Sequence, residues 1–267
     1  MNTARRFLSL PLWGAAFLAL IAGQPLNAHS AEVRVSRFWH NHQPIYWPEW
    51  NGNGSQTERV QFAWDSIVLK DGQGYDSGSK HPENDLGAIF GVDDRKKAYQ
   101  DGPRNSLAMV NSGGYAMSYS GSLMNNVQNL AANGQLGYGS GWWSGNREAR
   151  TWTAGGGSSP KLDLVGFTYH HSLGSVLPKE VFRKELQIFH EAAYKAWNTG
   201  SVTNRSKGFF PTEMAFSETM IDVLADEGYQ WAIVASHHLS RTSPNYNDKA
   251  NPEGSYNVFS SPPNKAD

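Results

Sequence analysis

GYAMSYSGSLMNNVQNLAANG, residues 114 to 134, decides the class of fold. GYAMSYS reads as a strand and SGSLMNNVQNLAANG as a helix. Leu123, Val127 and Leu130 share one helical face, Ser122 is placed to cap the start, and Gly134 ends it. The alternation then repeats. LDLVGFTY (162–169) is a strand, and after YHHSLGSVLP a helix begins near Pro178 with Phe182, Leu186, Phe189 and Ala193 on one side. GFFPTEMAF is a short strand leading to Ser217, the expected cap of the helix ETMIDVLADEG; WAIVAS is a buried strand ending at His237 and His238. Upstream, Val33 and Val35 alternate with polar residues and lead into Phe38 and Trp39. Strands alternating with helices predict an α/β fold with a parallel sheet. Asn51 to Gly114 reads as irregular with one or two helices, and GWWSGNREARTWTAGGGSS (141–159) as a loop.

The chain has 267 residues, 39% of them hydrophobic, enough for a real core. Lys+Arg number 23 and Asp+Glu 24, a balance that points to neither nucleic acid nor an anionic membrane surface as partner. Ten Trp and 27 Gly suit a site that stacks rings on sugars, though indoles also fill large cores. The absence of cysteine excludes disulfides, thiolate metal sites and a lipidated Cys. At the N-terminus, Arg5 and Arg6 precede an apolar run from Phe7 to Ala22, interrupted by Pro11 and short for a bilayer span. Residues 1–31 are therefore expected to be a signal peptide, cleaved after Ala28 or Ser30, rather than an uncleaved anchor. The expectation is a periplasmic or secreted protein with no stable membrane insertion after cleavage.

Chemically capable residues gather where strands end: His40 and His42, His170 and His171, Glu213, His237 and His238. In a parallel α/β barrel all those ends lie on one face, which carries active sites. Glu213, after Pro211 and Thr212, is placed to attack an anomeric carbon or to serve as acid or base. It also suits a helix start favoured by the dipole. His40 and His42 stand two apart in an extended chain and share a face. Such imidazoles bind either a metal or sugar hydroxyls. Against metal, Pro44 rather than a carboxylate follows His42 at close spacing. In His170-His171 and His237-His238, one ring of each pair is expected to face the site and its neighbour away from it. Trp47, Trp50, Trp142, Trp143 and Trp152 fall in loops as stacking platforms or as pins that fix the loops. Glu49 is a competing carboxylate, and Asp65, Asp163 and Asp222 read as ordinary loop or helix charges.

HNHQP after the first strand resembles the first signature of glycoside hydrolase family 57, and GFFPTEMAF its third, Trp/Phe-x-Pro-x-Glu. FTYHHSL is similar, more loosely, to a Tyr-His-Pro segment near the second, with His171 where Pro is usual. The resemblance runs in order over about residues 32–240. It implies a (β/α)7-type barrel and a retaining glycosidase or glycosyltransferring enzyme acting on α-glucan-type polysaccharide without metal or other cofactor. It makes Glu213 the nucleophile and places His42, with His40, at the subsite of cleavage. On the same reading Trp47, Trp142, Trp143, His170 and His237 complete the sugar site. The family's acid/base Asp lies on a strand beyond the one ending at His237-His238. Residues 32–267 are accordingly expected to be the N-terminal part of the barrel domain, with about five strands. Two alternatives are a metal-dependent polysaccharide deacetylase, which lacks its usual Asp-Asp pair here, and a non-catalytic carbohydrate-binding relative.

Overall fold

The computed structural model describes residues 37–46, 61–69, 84–155, 157, 160–197, 205–235 and 238. The expected signal segment, Trp47, Glu49, Trp50 and His237 lie outside them. Five strands follow in chain order: β1 (Arg37–Asn41), β2 (Tyr115–Tyr119), β3 (Leu162–Leu164), β4 (Gly208–Phe209) and β5 (Trp231–Ala232). All pairings between them are parallel. β2 sits between β1 and β3 with His40 opposite Ser118 and Met117 opposite Leu164, and β4 pairs with β5. Gly166, just past β3, bridges Phe209, so the two sheets are joined there in parallel. A Cβ on Gly166 would lie 2.3 Å from the Tyr229 ring, which is why glycine stands at that junction. Strands thus neighbour one another in sequence order, the winding of a β/α arc. Among the described residues the arc does not close on itself.

Helices supply the other layer: α1 (Ala63–Leu69), α2 (Leu86–Gly91), α3 (Asp93–Tyr99), α4 (Gly102–Ala108), α5 (Gly121–Ala132), α6 (Ser144–Ala149), α7 (Lys179–Trp197) and α8 (Ile221–Asp226). The expected irregular stretch before Gly114 therefore holds four helices among its described residues, and the expected 141–159 loop holds α6. Met117, Tyr119, Leu162 and Leu164 join the helical core with Leu123, Val127 and Leu130 of α5 and Phe189 of α7. A smaller cluster under α8 packs Phe182, Leu186, Phe209, Val223 and Tyr229. Each such fully buried aliphatic or aromatic side chain contributes about 1.5–3 kcal/mol. Among the described residues no helix is long and apolar enough to cross a membrane.

The start of α5 matters most for the site. Ser120, not the expected Ser122, is its cap, accepting from the Leu123 amide at 3.2 Å. Ser122 is engaged elsewhere, donating to the Gln43 carbonyl at 2.8 Å. Gly121 lets the helix begin here, because a Cβ would fall 2.1 Å from the Tyr169 ring. The turn after β1 and the turn after β3 are thereby drawn against one helix start.

Candidate active site

At the strand ends, four side chains from three different strands meet. His40 is the penultimate residue of β1 and His42 follows the strand; their rings are 9° from parallel with centroids 6.3 Å apart. His171, beyond β3, stacks on His42 at 4.0 Å and approaches His40 at 5.3 Å. Glu213 follows β4, and its Oε1 lies 3.5 Å from His171 Nε2. Phe167 and Phe210 form the floor, with ring centroids 4.4 and 5.5 Å from His40. The Glu213 carboxylate is the exposed member at 71%, against 18% for the His171 side chain. A carboxylate open to a ligand thus stands over a wall of imidazoles and phenyl rings.

Hydrogen bonds orient those imidazoles. His40 Nδ1 lies 2.6 Å from Ser118 Oγ, and His42 Nδ1 lies 2.8 Å from Ser120 Oγ. The second pairing fixes a proton. Ser122 spends its own hydroxyl hydrogen on the Gln43 carbonyl, so across the 3.0 Å Ser120–Ser122 contact Ser120 is the donor. With its single hydrogen given to Ser122, Ser120 has only lone pairs left for His42, and this network assigns the ring proton to Nδ1. His42 Nε2 is therefore an acceptor, suited to a sugar hydroxyl that donates. His40 Nε2 is buried with no hydrogen-bond partner among the described residues.

The rings are uncharged at neutral pH. Burial pushes His40 down to about 3 and His42 to about 4, and His171 beside them adds to both shifts. His171 is held below its ordinary value by burial, against the opposing pull of Glu213. Neutral imidazoles bind hydroxyls without demanding a counter-charge. A metal fits this donor set poorly. A tetrahedral ion needs donors that converge on one point, whereas near-parallel stacked rings present their nitrogens side by side. Among the described residues no group of three His, Cys, Asp or Glu side chains could hold a metal ion.

The backbone is strained where the chemistry gathers. Among the described residues only Leu136, His171, Glu213 and Met214 are non-glycine residues with positive φ, at 54°, 63°, 54° and 56°. Each such position costs on the order of 1–3 kcal/mol and persists only where its surroundings over-determine it. Here they do. Buried Thr168 and Thr212 bond to one another at 3.0 Å and tie the turn holding His171 to the turn holding Glu213.

The structure brings together His40, His42 and Glu213 from the expected set. His170 it turns away: its Nδ1 bonds Glu185 Oε1 at 2.7 Å, and His171 takes the inner position. His171 adopts a left-handed φ of 63° at this turn. Trp142 is a correction too. It is 2% exposed, donates to Gln128 Oε1 at 3.0 Å and packs edge-on against Trp197, so it anchors the loop and offers no face to a sugar. Trp143 is half-buried, its ring covered by Arg147 at 5.1 Å. Trp47 and His237 lie outside the described residues. Ser118, Ser120 and Glu185 were not singled out in the sequence; the period-two match of β1 to β2 would have found the two serines.

Residues 37–261 match the family model of glycosyl hydrolase family 57. An α-amylase from Niallia circulans is 31% identical over 259 residues, covering 89% of this chain and 20% of that protein. The chain thus spans about a fifth of the length of that curated relative. A solved structure, the 4-α-glucanotransferase from Thermococcus litoralis, is similar at 13% identity and a TM-score of 0.44, over 78% of this chain and 23% of that one.

Proposed function

Because this chain belongs to glycosyl hydrolase family 57, we propose that it builds the donor site of a retaining glycosidase or glucan-transferring enzyme acting on α-glucan. Its five strands are then part of a (β/α)7-type barrel. The observation that carries the reading is the exposed Glu213 carboxylate, held in a left-handed turn at a strand end and 3.5 Å from His171. In the proposed reaction Glu213 attacks the anomeric carbon as the glycosidic bond breaks. The leaving oxygen takes a proton from a second carboxyl, roughly 5–5.5 Å away in retaining enzymes. The family resemblance assigns that role to an Asp on a later strand. Water or an acceptor sugar hydroxyl, deprotonated by the same Asp, then displaces Glu213 with a second inversion. His42 Nε2 accepts from a sugar hydroxyl, fixing the ring in line.

Substitution separates nucleophile from bystander. In the intact enzyme Glu213→Gln keeps the shape and removes the charge, so kcat on an activated aryl α-glucoside should fall by on the order of 10⁴. Saccharide binding should be largely kept. Azide added to Glu213→Ala should restore turnover and yield a glycosyl azide of inverted configuration. Glu49→Gln is the control and should cost far less. A dead Glu49→Gln beside a near-normal Glu213→Gln would remove the assignment. Saccharide binding by the intact wild-type protein with no turnover would install the non-catalytic reading instead.

Export belongs to the same reading, carried by the Arg5-Arg6 pair before a short apolar run. N-terminal sequencing of released protein should find a start between His29 and Ala31. Membrane-bound protein that still begins at Met1 would overturn it.

A further inference from the structure

Glu185 is a buried carboxylate that the proposed chemistry does not use. It sits on the buried side of α7, which also carries Phe182, Leu186 and Phe189, and is 8% exposed. An apolar residue at that position would pack without desolvating a charge. Both carboxylate oxygens are instead spent on a single turn. Oε2 accepts from the His170 amide at 2.9 Å and Oε1 from His170 Nδ1 at 2.7 Å. Burial alone would raise this carboxyl, but the two bonds from His170 hold it below the usual range. The doubly bonded residue 170 immediately precedes His171, the left-handed residue that stacks on His42 and meets Glu213.

The geometry points to Glu185 as a positioning residue for the Glu213 nucleophile. By pinning residue 170 through both its amide and its ring, it holds the neighbouring His171 in the backbone conformation that sets its ring between His42 and the carboxylate. It touches neither substrate nor reacting atoms and acts through His171. This inference rests on the reading of Glu213 as nucleophile.

The test is a double-substitution cycle in the intact enzyme, with kcat, KM and Tm measured for each variant on an activated aryl α-glucoside. Glu185→Gln keeps the volume but turns one acceptor oxygen into an NH2 group facing an N–H donor. It should lower kcat about 10- to 100-fold with KM changed less than about twofold, the range expected when a supporting contact shifts a reacting group. In a His171→Ala background the same substitution should change kcat by less than about twofold, because the group it acts through is gone. A merely structural carboxylate would cost the same in both backgrounds, and that result overturns the inference, as does an unchanged kcat when Glu185→Gln is made in the wild-type enzyme. If Glu185→Gln lowers Tm too far to assay, His170→Ala removes one of the two bonds from a half-exposed side chain. It should lose several-fold in kcat only where His171 is present, and equal loss in both backgrounds again overturns the idea. Glu213→Gln run alongside distinguishes the two levels. If it keeps normal turnover, the nucleophile assignment has failed. If it is dead while Glu185 and His171 act independently, only the positioning role has.

Discussion

The proton on one imidazole is the smallest feature that shapes this site. Neutral His42 has two tautomers, and in solution the Nε2–H form is the commoner. The chain Ser120 to Ser122 to the Gln43 carbonyl consumes the available hydroxyl hydrogens and leaves His42 to donate from Nδ1. A ring of that kind cannot donate to a sugar; it selects hydroxyls oriented to donate. At neutral pH, imidazole nitrogen NMR should therefore show His42 protonated on Nδ1 and bare on Nε2. Ser120→Ala should release the ring to the Nε2–H form and raise KM several-fold. Losing the cap should also cost about 1 kcal/mol of stability. An Nε2–H signal in the wild-type protein would refute the assignment. The same serine thus starts α5 and sets the chemistry of His42, two links that one substitution breaks together.

At the scale of elements, what the sequence made legible was what repeats. α5 and α7 carry apolar residues at helical spacing over 12 and 19 residues, and both stand where their periodicity puts them. The parallel sheet followed from strands alternating with such helices. α6 was not legible because it has 6 residues, too few for a period to declare itself amid glycines and tryptophans. The strands were expected longer than they are: β4 and β5 have 2 residues each, because backbone pairing ends where the chain turns to present Pro211 onward. His40, His42 and Glu213 could be picked out by position, as polar residues at the ends of apolar runs. The choice between His170 and His171 could not. It depends on a left-handed backbone that Glu185, fifteen or so residues away, stabilises from another element. Trp142 was read outward for a similar reason, since a neighbouring helix residue, Gln128, decides that its indole N–H is satisfied inside.

Across the whole molecule, uncharged histidines lie in both packed regions, and this couples folding to acidity. His40 and His42 are held to about 3 and about 4 at the strand ends, chiefly by burial. His190, on the buried side of α7, is held to about 3 by burial and by Arg205, with its side chain 7% exposed and its Nε2 2.8 Å from the Tyr229 hydroxyl. In the unfolded chain each returns to the ordinary value of 6.5. Between 6.5 and those low values the unfolded state binds more protons than the folded one, so stability rises with pH there. It is fully present above about 6.5 and is lost as pH falls toward 4. Depressed carboxyls such as Glu185 act in the same direction but only lower down, below the ordinary carboxylate range. Tm should consequently begin to drop between pH 7 and pH 5. His190 alone contributes at most about 2 kcal/mol of loss between pH 6.5 and 5. His190→Gln keeps a donor for the Tyr229 hydroxyl and removes the titration, so its Tm should fall less steeply over that interval than the wild-type value. A wild-type Tm that stays level from pH 7 to 5 would mean these rings take up protons in the folded state, and the neutral-imidazole site would lose its basis.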